Sequence, residues 1–87
     1  MKNLSSHQKS VNYWTDIAKS QLLNRTIVEV RYLCDEEMVD LGWDEKCVVM
    51  ILDDGNIILP SRDDEGNGAG ALFTSNKDNQ TIPVIQA

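Results

Sequence analysis

A small α+β domain is predicted for this chain: an antiparallel sheet with a central β-hairpin, an N-terminal amphipathic helix and a short second helix. Three observations carry that prediction. Apolar residues recur at helical spacing over residues 10–24. β-branched and apolar runs of strand length occupy 26–33 and 46–52. The turn Asp53-Asp54-Gly55-Asn56 then joins the second run to a third at 57–59, the signature of a hairpin. Helices set beside a sheet of consecutive strands, without βαβ alternation, define the α+β class.

Apart from Met1, residues 1–9 contain Leu4 as their only strongly apolar side chain, and they read as a flexible arm. Val11, Trp14, Ala18 and Leu22, with Ile17 beside them, then form one stripe of a helix that Ser10 is placed to cap. The stripe is expected to cover the sheet of its own molecule; the alternative is that it grips a partner chain. Over 26–33, Val28, Val30 and Tyr32 alternate with Glu29 and Arg31, the period of a strand. Asp35 is the expected cap of a helix over 36–41. Its first-turn acids Glu36 and Glu37 suit the helix dipole, and Gly42 ends it in a left-handed conformation. Trp43 follows as a core anchor folding back over Met38 or Val39.

The run Cys47-Val48-Val49-Met50-Ile51-Leu52 lacks alternation, as expected of a mid-sheet strand covered on both faces. Residues 71–74 read as a short strand or helical turn and 75–80 as a mobile polar segment. Any strand in 81–85 belongs at an edge, because Pro83 has no N–H to donate. One domain spans 1–87, with 75–87 expected as a loosely attached tail.

Charge and cysteine usage narrow the function. Fourteen Asp and Glu against eight Lys and Arg leave a net charge of -6, which opposes attraction to phosphate backbones and anionic lipid. Neither nucleic acid nor a membrane is an expected partner. No apolar run approaches the roughly 20 residues that cross a bilayer, and the first ten residues are too polar for a signal peptide. Cys34 and Cys47 form no CxxC pair and neighbour no histidine, so they read as reduced, buried thiols of a cytoplasmic protein. An 87-residue chain has a thin core, which makes a homodimer the expected assembly.

Catalytic arrangements are scarce. His7 is the single histidine and lies in the arm, which argues against a Ser-His or Cys-His nucleophile. The adjacent carboxylates Asp53/Asp54 and Asp63/Asp64 point apart and read as turn formers. No catalytic residue is assigned, and a non-enzymatic role is the leading expectation.

The unusual segment is Pro60-Ser61-Arg62-Asp63-Asp64-Glu65-Gly66-Asn67-Gly68-Ala69-Gly70, with three adjacent acids and three alternating glycines. Its ligand-binding candidates are Arg62, Asp63, Asp64, Glu65 and Asn67. From Asp63 onward, oxygen-bearing side chains stand at the first, third and fifth places (Asp63, Glu65, Asn67) and glycine at the sixth, as in a calcium loop. The match then ends, because Thr74 occupies the twelfth place, where a bidentate Glu belongs. A looser divalent-cation site on Asp63, Glu65 and Asn67 is one alternative. Gly66, Gly68 and Gly70 offering N–H groups to a nucleotide phosphate is another, opposed by the neighbouring carboxylates. The favoured expectation is that the loop is its own ligand, with Asp and Asn side chains accepting nearby backbone N–H groups and Arg62 paired to Asp64 or Glu65.

The strings Leu41-Gly42-Trp43, Leu52-Asp53-Asp54-Gly55, Ser61-Arg62-Asp63-Asp64-Glu65-Gly66-Asn67 and Ala71-Leu72-Phe73 resemble a family of short uncharacterised proteins of bacteria and their phages. The likeness covers about residues 24–73. It implies no substrate and transfers no catalytic residue. The expectation is therefore an interaction or ligand-binding module that uses residues 61–70. Its alternatives are a cation- or nucleotide-handling protein using the same loop, and a structural subunit assembled through the N-terminal helix.

Overall fold

The computed structural model describes residues 5–87, so Met1 to Leu4 of the expected arm lie outside the described residues. Along the chain run α1 (Ser6–Leu22), β1 (Ile27–Tyr32), α2 (Asp35–Leu41), β2 (Glu45–Lys46), β3 (Val48–Leu52), β4 (Ile57–Ile58), β5 (Leu72–Phe73), β6 (Thr81–Ile82) and β7 (Ile85–Gln86). The main sheet has the order β1-β3-β4, and two short antiparallel pairs, β2-β7 and β5-β6, complete an α+β fold. Among the described residues no helix is long and apolar enough to cross a membrane.

Helix α1 begins four residues before the position its apolar stripe suggested. Ser5, not Ser10, is the cap: its Oγ accepts the Gln8 N–H at 3.1 Å. The first turn is further supported by Gln8 Nε2 donating to Asn12 Oδ1 at 2.9 Å. Residues 6–9 of the expected arm are thus helical, and Ser5-Ser6-His7-Gln8 was the sequence signal for it. The helix closes with Leu23 N–H donating to Lys19 O, and Asn24, at φ 63, turns the chain toward β1.

The stripe does not cover the sheet of its own molecule. No residue of α1 is buried, and Trp14 is 63% exposed. The helix projects from the body, so the radius of gyration is 15.8 Å, against about 12 Å for a compact chain of this length.

Strand β3 is central, as its unalternating composition predicts. Its register with β1 sets Arg31 opposite Val49 and Val30 opposite Met50, and Ile57 faces Ile51 across the hairpin. Partners in register share a face. One face therefore carries Glu29, Arg31, Val49, Ile51 and Ile57, and the other carries Val30, Tyr32, Val48, Met50 and Ile58. The first is the core face: Val49 and Cys47 are fully buried and cluster with Leu33, Met38, Trp43 and Ala69. On the second face, Val28 and Val30 are 61% and 60% exposed. The expected run 46–52 is interrupted at Cys47, where Leu33 N–H donates to its carbonyl and the chain passes from β2 into β3. Burial pushes the Cys47 thiol pKa up, which keeps it protonated. Cys34, expected to be buried too, is exposed at the start of α2.

Helix α2 is capped by Cys34, one residue before the expected Asp35, which instead opens the helix. Glu37 causes this: its Oε1 accepts the Cys34 N–H at 2.9 Å while the carboxylate takes Arg31 Nη1 and Nη2 at 2.7 and 2.9 Å. One side chain closes the helix start and ties it to β1. Gly42 ends α2 in the left-handed region, and Trp43 N–H donates to Met38 O, the expected fold-back. The Arg31 and Cys34 donors hold the Glu37 pKa down at about 2, from an ordinary 4.5. A depressed folded-state value contributes stability above the ordinary pKa and loses it as pH falls through the folded one. Urea midpoints are accordingly expected to fall between pH 4.5 and about 2. Glu37→Gln should be less stable than the native chain at neutral pH and lose less over that window. Equal acid slopes in the two proteins would refute this role for Glu37.

The tail is anchored rather than loose. β6 pairs with β5 and β7 with β2, Tyr32 Oη donates to Pro83 O at 2.9 Å, and Val84 packs against the core cluster. Pro83 removes one donor but keeps its carbonyl, and the tyrosine uses that acceptor. Within 75–80, Asn76 Oδ1 accepts the Asp78 N–H at 2.8 Å, giving this polar segment a local turn.

Candidate functional site

Residues 61–70 leave β4 and return beside it. Ser61 and Ala69 form an antiparallel bridge, Gly70 N–H donates to Pro60 O at 2.9 Å, and Arg62 N–H donates to Gly68 O at 3.0 Å. The interior of the loop is organised by Asp63. Its Oδ1 accepts the Glu65 and Asn67 N–H groups at 3.1 and 3.0 Å, and its Oδ2 accepts Asn67 Nδ2 at 2.9 Å. The Asn67 donors, backbone first, hold the Asp63 carboxyl below its ordinary pKa. Ser61 Oγ donates to Asp63 O at 2.8 Å, and Gly66 supplies the left-handed residue at the tip, φ 74.

Two further features fix the loop to the domain. The buried Trp43 indole donates Nε1–H to Gly66 O at 2.7 Å, which links the tip to the core. At Gly70 a Cβ would stand 2.9 Å from the Ser61 backbone carbon and oxygen, so the two chain segments approach as closely as a bare backbone allows. Asp63 thus accepts the loop's own backbone N–H groups, the part of the favoured expectation that concerned its aspartates.

The expected site residues separate into two sets. Asp63 and Asn67 spend polar atoms on each other and on the loop backbone. Arg62, Asp64 and Glu65 are exposed, and among the described residues none of the three has an ion-pair partner. The expected pairing of Arg62 with Asp64 or Glu65 is absent, because the Arg62 side chain folds over Gly68, where a Cβ would come within 2.8 Å of its Nε. Nor does the loop gather the oxygen set expected of a cation site. Asp63 already accepts three N–H groups, and among the described residues no three His, Cys, Asp or Glu side chains stand together as metal ligands.

A hollow of about 680 Å³, open to solvent, lies elsewhere, between α2 and the C-terminal residues, with Asp35, Met38, Trp43 and Asp44 in its wall. Asp35 there is held below its ordinary pKa by Lys46, whose Nζ donates to Oδ1 at 2.7 Å. Ion pairing thus occupies the Asp35 carboxylate in that wall.

Sequence reasoning missed the tie from Trp43 to the loop tip. The available signal was chemical: a buried indole N–H needs an acceptor. It also missed the size of the uncovered apolar surface on α1 and β1. No family model, no curated protein and no solved structure matches this chain, so its functional reading is carried by geometry.

Proposed function

We propose that this chain is a non-enzymatic, cytoplasmic interaction module that acts as a homodimer and presents residues 61–70 as a shaped recognition surface. The division of labour in the loop carries this reading. Asp63, Asn67, Ser61 and the Trp43 indole fix the backbone from inside, while Arg62, Asp64 and Glu65 face solvent with no ion-pair partner among the described residues. A preformed loop loses little conformational entropy when a partner binds, and unpaired charges of both signs give that partner specificity. The dimer is supported by the thin core and the uncovered apolar stripe of α1, and the cytoplasm by the two free thiols, Cys34 and Cys47.

The test separates surface charge from loop shape. The triple variant Arg62→Ala, Asp64→Ala, Glu65→Ala should keep the native circular dichroism and urea midpoint, because none of these side chains holds the loop together. It should lose the proteins that cross-link to the native chain in cells. An unchanged set of cross-linked partners would remove the recognition role.

A further inference from the structure

We propose that a second copy of this chain docks along the open edge of β1, pairing antiparallel about a two-fold axis through Val30 to join two three-stranded sheets into one. This rests on the dimer reading above and specifies its contact.

β1 is an edge strand, bonded to β3 on one side only. Leu33 N–H donates to Cys47 O, directly opposite it in the register, so the odd-numbered residues of this stretch direct their amides toward β3. The amides of Val30 and Tyr32 therefore point to the free edge. The Tyr32 carbonyl, unused by β3, accepts Arg31 Nη1 at 3.2 Å. The register irregularity falls at Val28, between Ile27 and Glu29, and leaves Glu29 to Tyr32 as the regular stretch available for pairing.

The charges select the register. Opposed edges bond in matched pairs only if outward-pointing residues meet, which leaves axes centred on Glu29, Val30 or Arg31. An axis through Glu29 sets two carboxylates directly opposite each other, and one through Arg31 sets two guanidinium groups opposite each other; both are destabilising. Centring on Val30 instead brings Val30 to Val30 and Glu29 to Arg31 of the second copy; Arg31 is already bonded to Glu29 and Glu37 of its own chain, so the charges that meet are balanced pairs and not like charges. The short sequence Glu29-Val30-Arg31 is thus complementary to itself when read backwards.

The same pairing brings together the exposed Val30 side chains of the two copies, beside the buried Val48 of each sheet. Strand pairing alone buries little of the roughly 800 Å² per partner found in stable interfaces. The α1 stripe of Val11, Trp14 and Ala18, uncovered in the single chain, is the apolar surface available for the remaining area.

Hydrogen-bonded antiparallel pairs hold their Cα atoms about 5.5 Å apart, within disulfide range. In a Cys34→Ser background, Val30→Cys is expected to oxidise to a covalent dimer, whereas Ile57→Cys on the opposite sheet edge is not. Val30→Lys should weaken self-association in sedimentation by about a hundredfold, since two ammonium groups would be desolvated face to face, with the fold retained by circular dichroism. A native chain that sediments as a dimer while Val30→Cys fails to cross-link would overturn this edge and leave the dimer standing. A native chain that sediments as a monomer at micromolar concentration would remove both.

Discussion

Trp43→Ala is expected to leave the chain without a cooperative unfolding transition at 25 °C. The indole is 8% exposed and sits in the cluster with Leu33, Met38, Val49 and Ala69. Truncating a buried tryptophan costs about 3–5 kcal/mol, and a single core in a domain of this size leaves only about 3–5 kcal/mol of net stability. The two magnitudes meet, so the variant has almost no margin. Trp43→Phe separates packing from hydrogen bonding. It retains most of the apolar contact but leaves the Gly66 carbonyl to water, at about 1 kcal/mol, and the loop should become more susceptible to proteolysis while the sheet persists. Urea titration by circular dichroism reads both variants. A Trp43→Ala protein with a native midpoint would show that the core does not depend on this side chain.

Gly70→Ala comes next in expected effect, with Gly68→Ala as its contrast. The added methyl at residue 70 meets Ser61 backbone at 2.9 Å, and backbone held in an antiparallel bridge cannot move without breaking the hydrogen bonds that close the loop. Overpacking of this kind costs about 1–3 kcal/mol. At residue 68 the nearest atom is Arg62 Nε at 2.8 Å, on an exposed side chain that has other rotamers. That substitution should stay within about 0.5 kcal/mol, as surface changes usually do. Neither glycine has a left-handed backbone, so the contrast isolates close approach from conformational freedom. Equal urea midpoints for the two variants would contradict the loop geometry.

The order of elements, the central position of the 46–52 run, the Asp-Gly hairpin and the left-handed stop at Gly42 were legible because each follows from local chemistry. A β-branched run without alternation wants two covered faces. A glycine after a short helix satisfies orphan carbonyls, and an Asp-Gly turn reverses a strand. Cap positions were displaced by one to five residues for an equally local reason. Ser5 caps through its hydroxyl, which accepts the Gln8 N–H, and Cys34 through the Glu37 side chain that returns to its N–H; these bonds outweigh the cap preference of Ser10 or Asp35.

Composition and spacing by themselves determined that the fold is α+β and marked 61–70 as the unusual loop, leaving open whether its acids serve its own backbone or a ligand. Tertiary structure alone decided the rest: that Trp43 reaches Gly66, that Arg62 folds over Gly68 instead of pairing with an acid, that Pro83 anchors the tail to Tyr32, and that α1 leaves its own sheet uncovered. These outcomes depend on groups far apart in sequence meeting in space. Period and propensity describe which face of an element is apolar, but what covers that face is settled by the direction in which the chain leaves it, here at Asn24, and by whichever surface is then within reach.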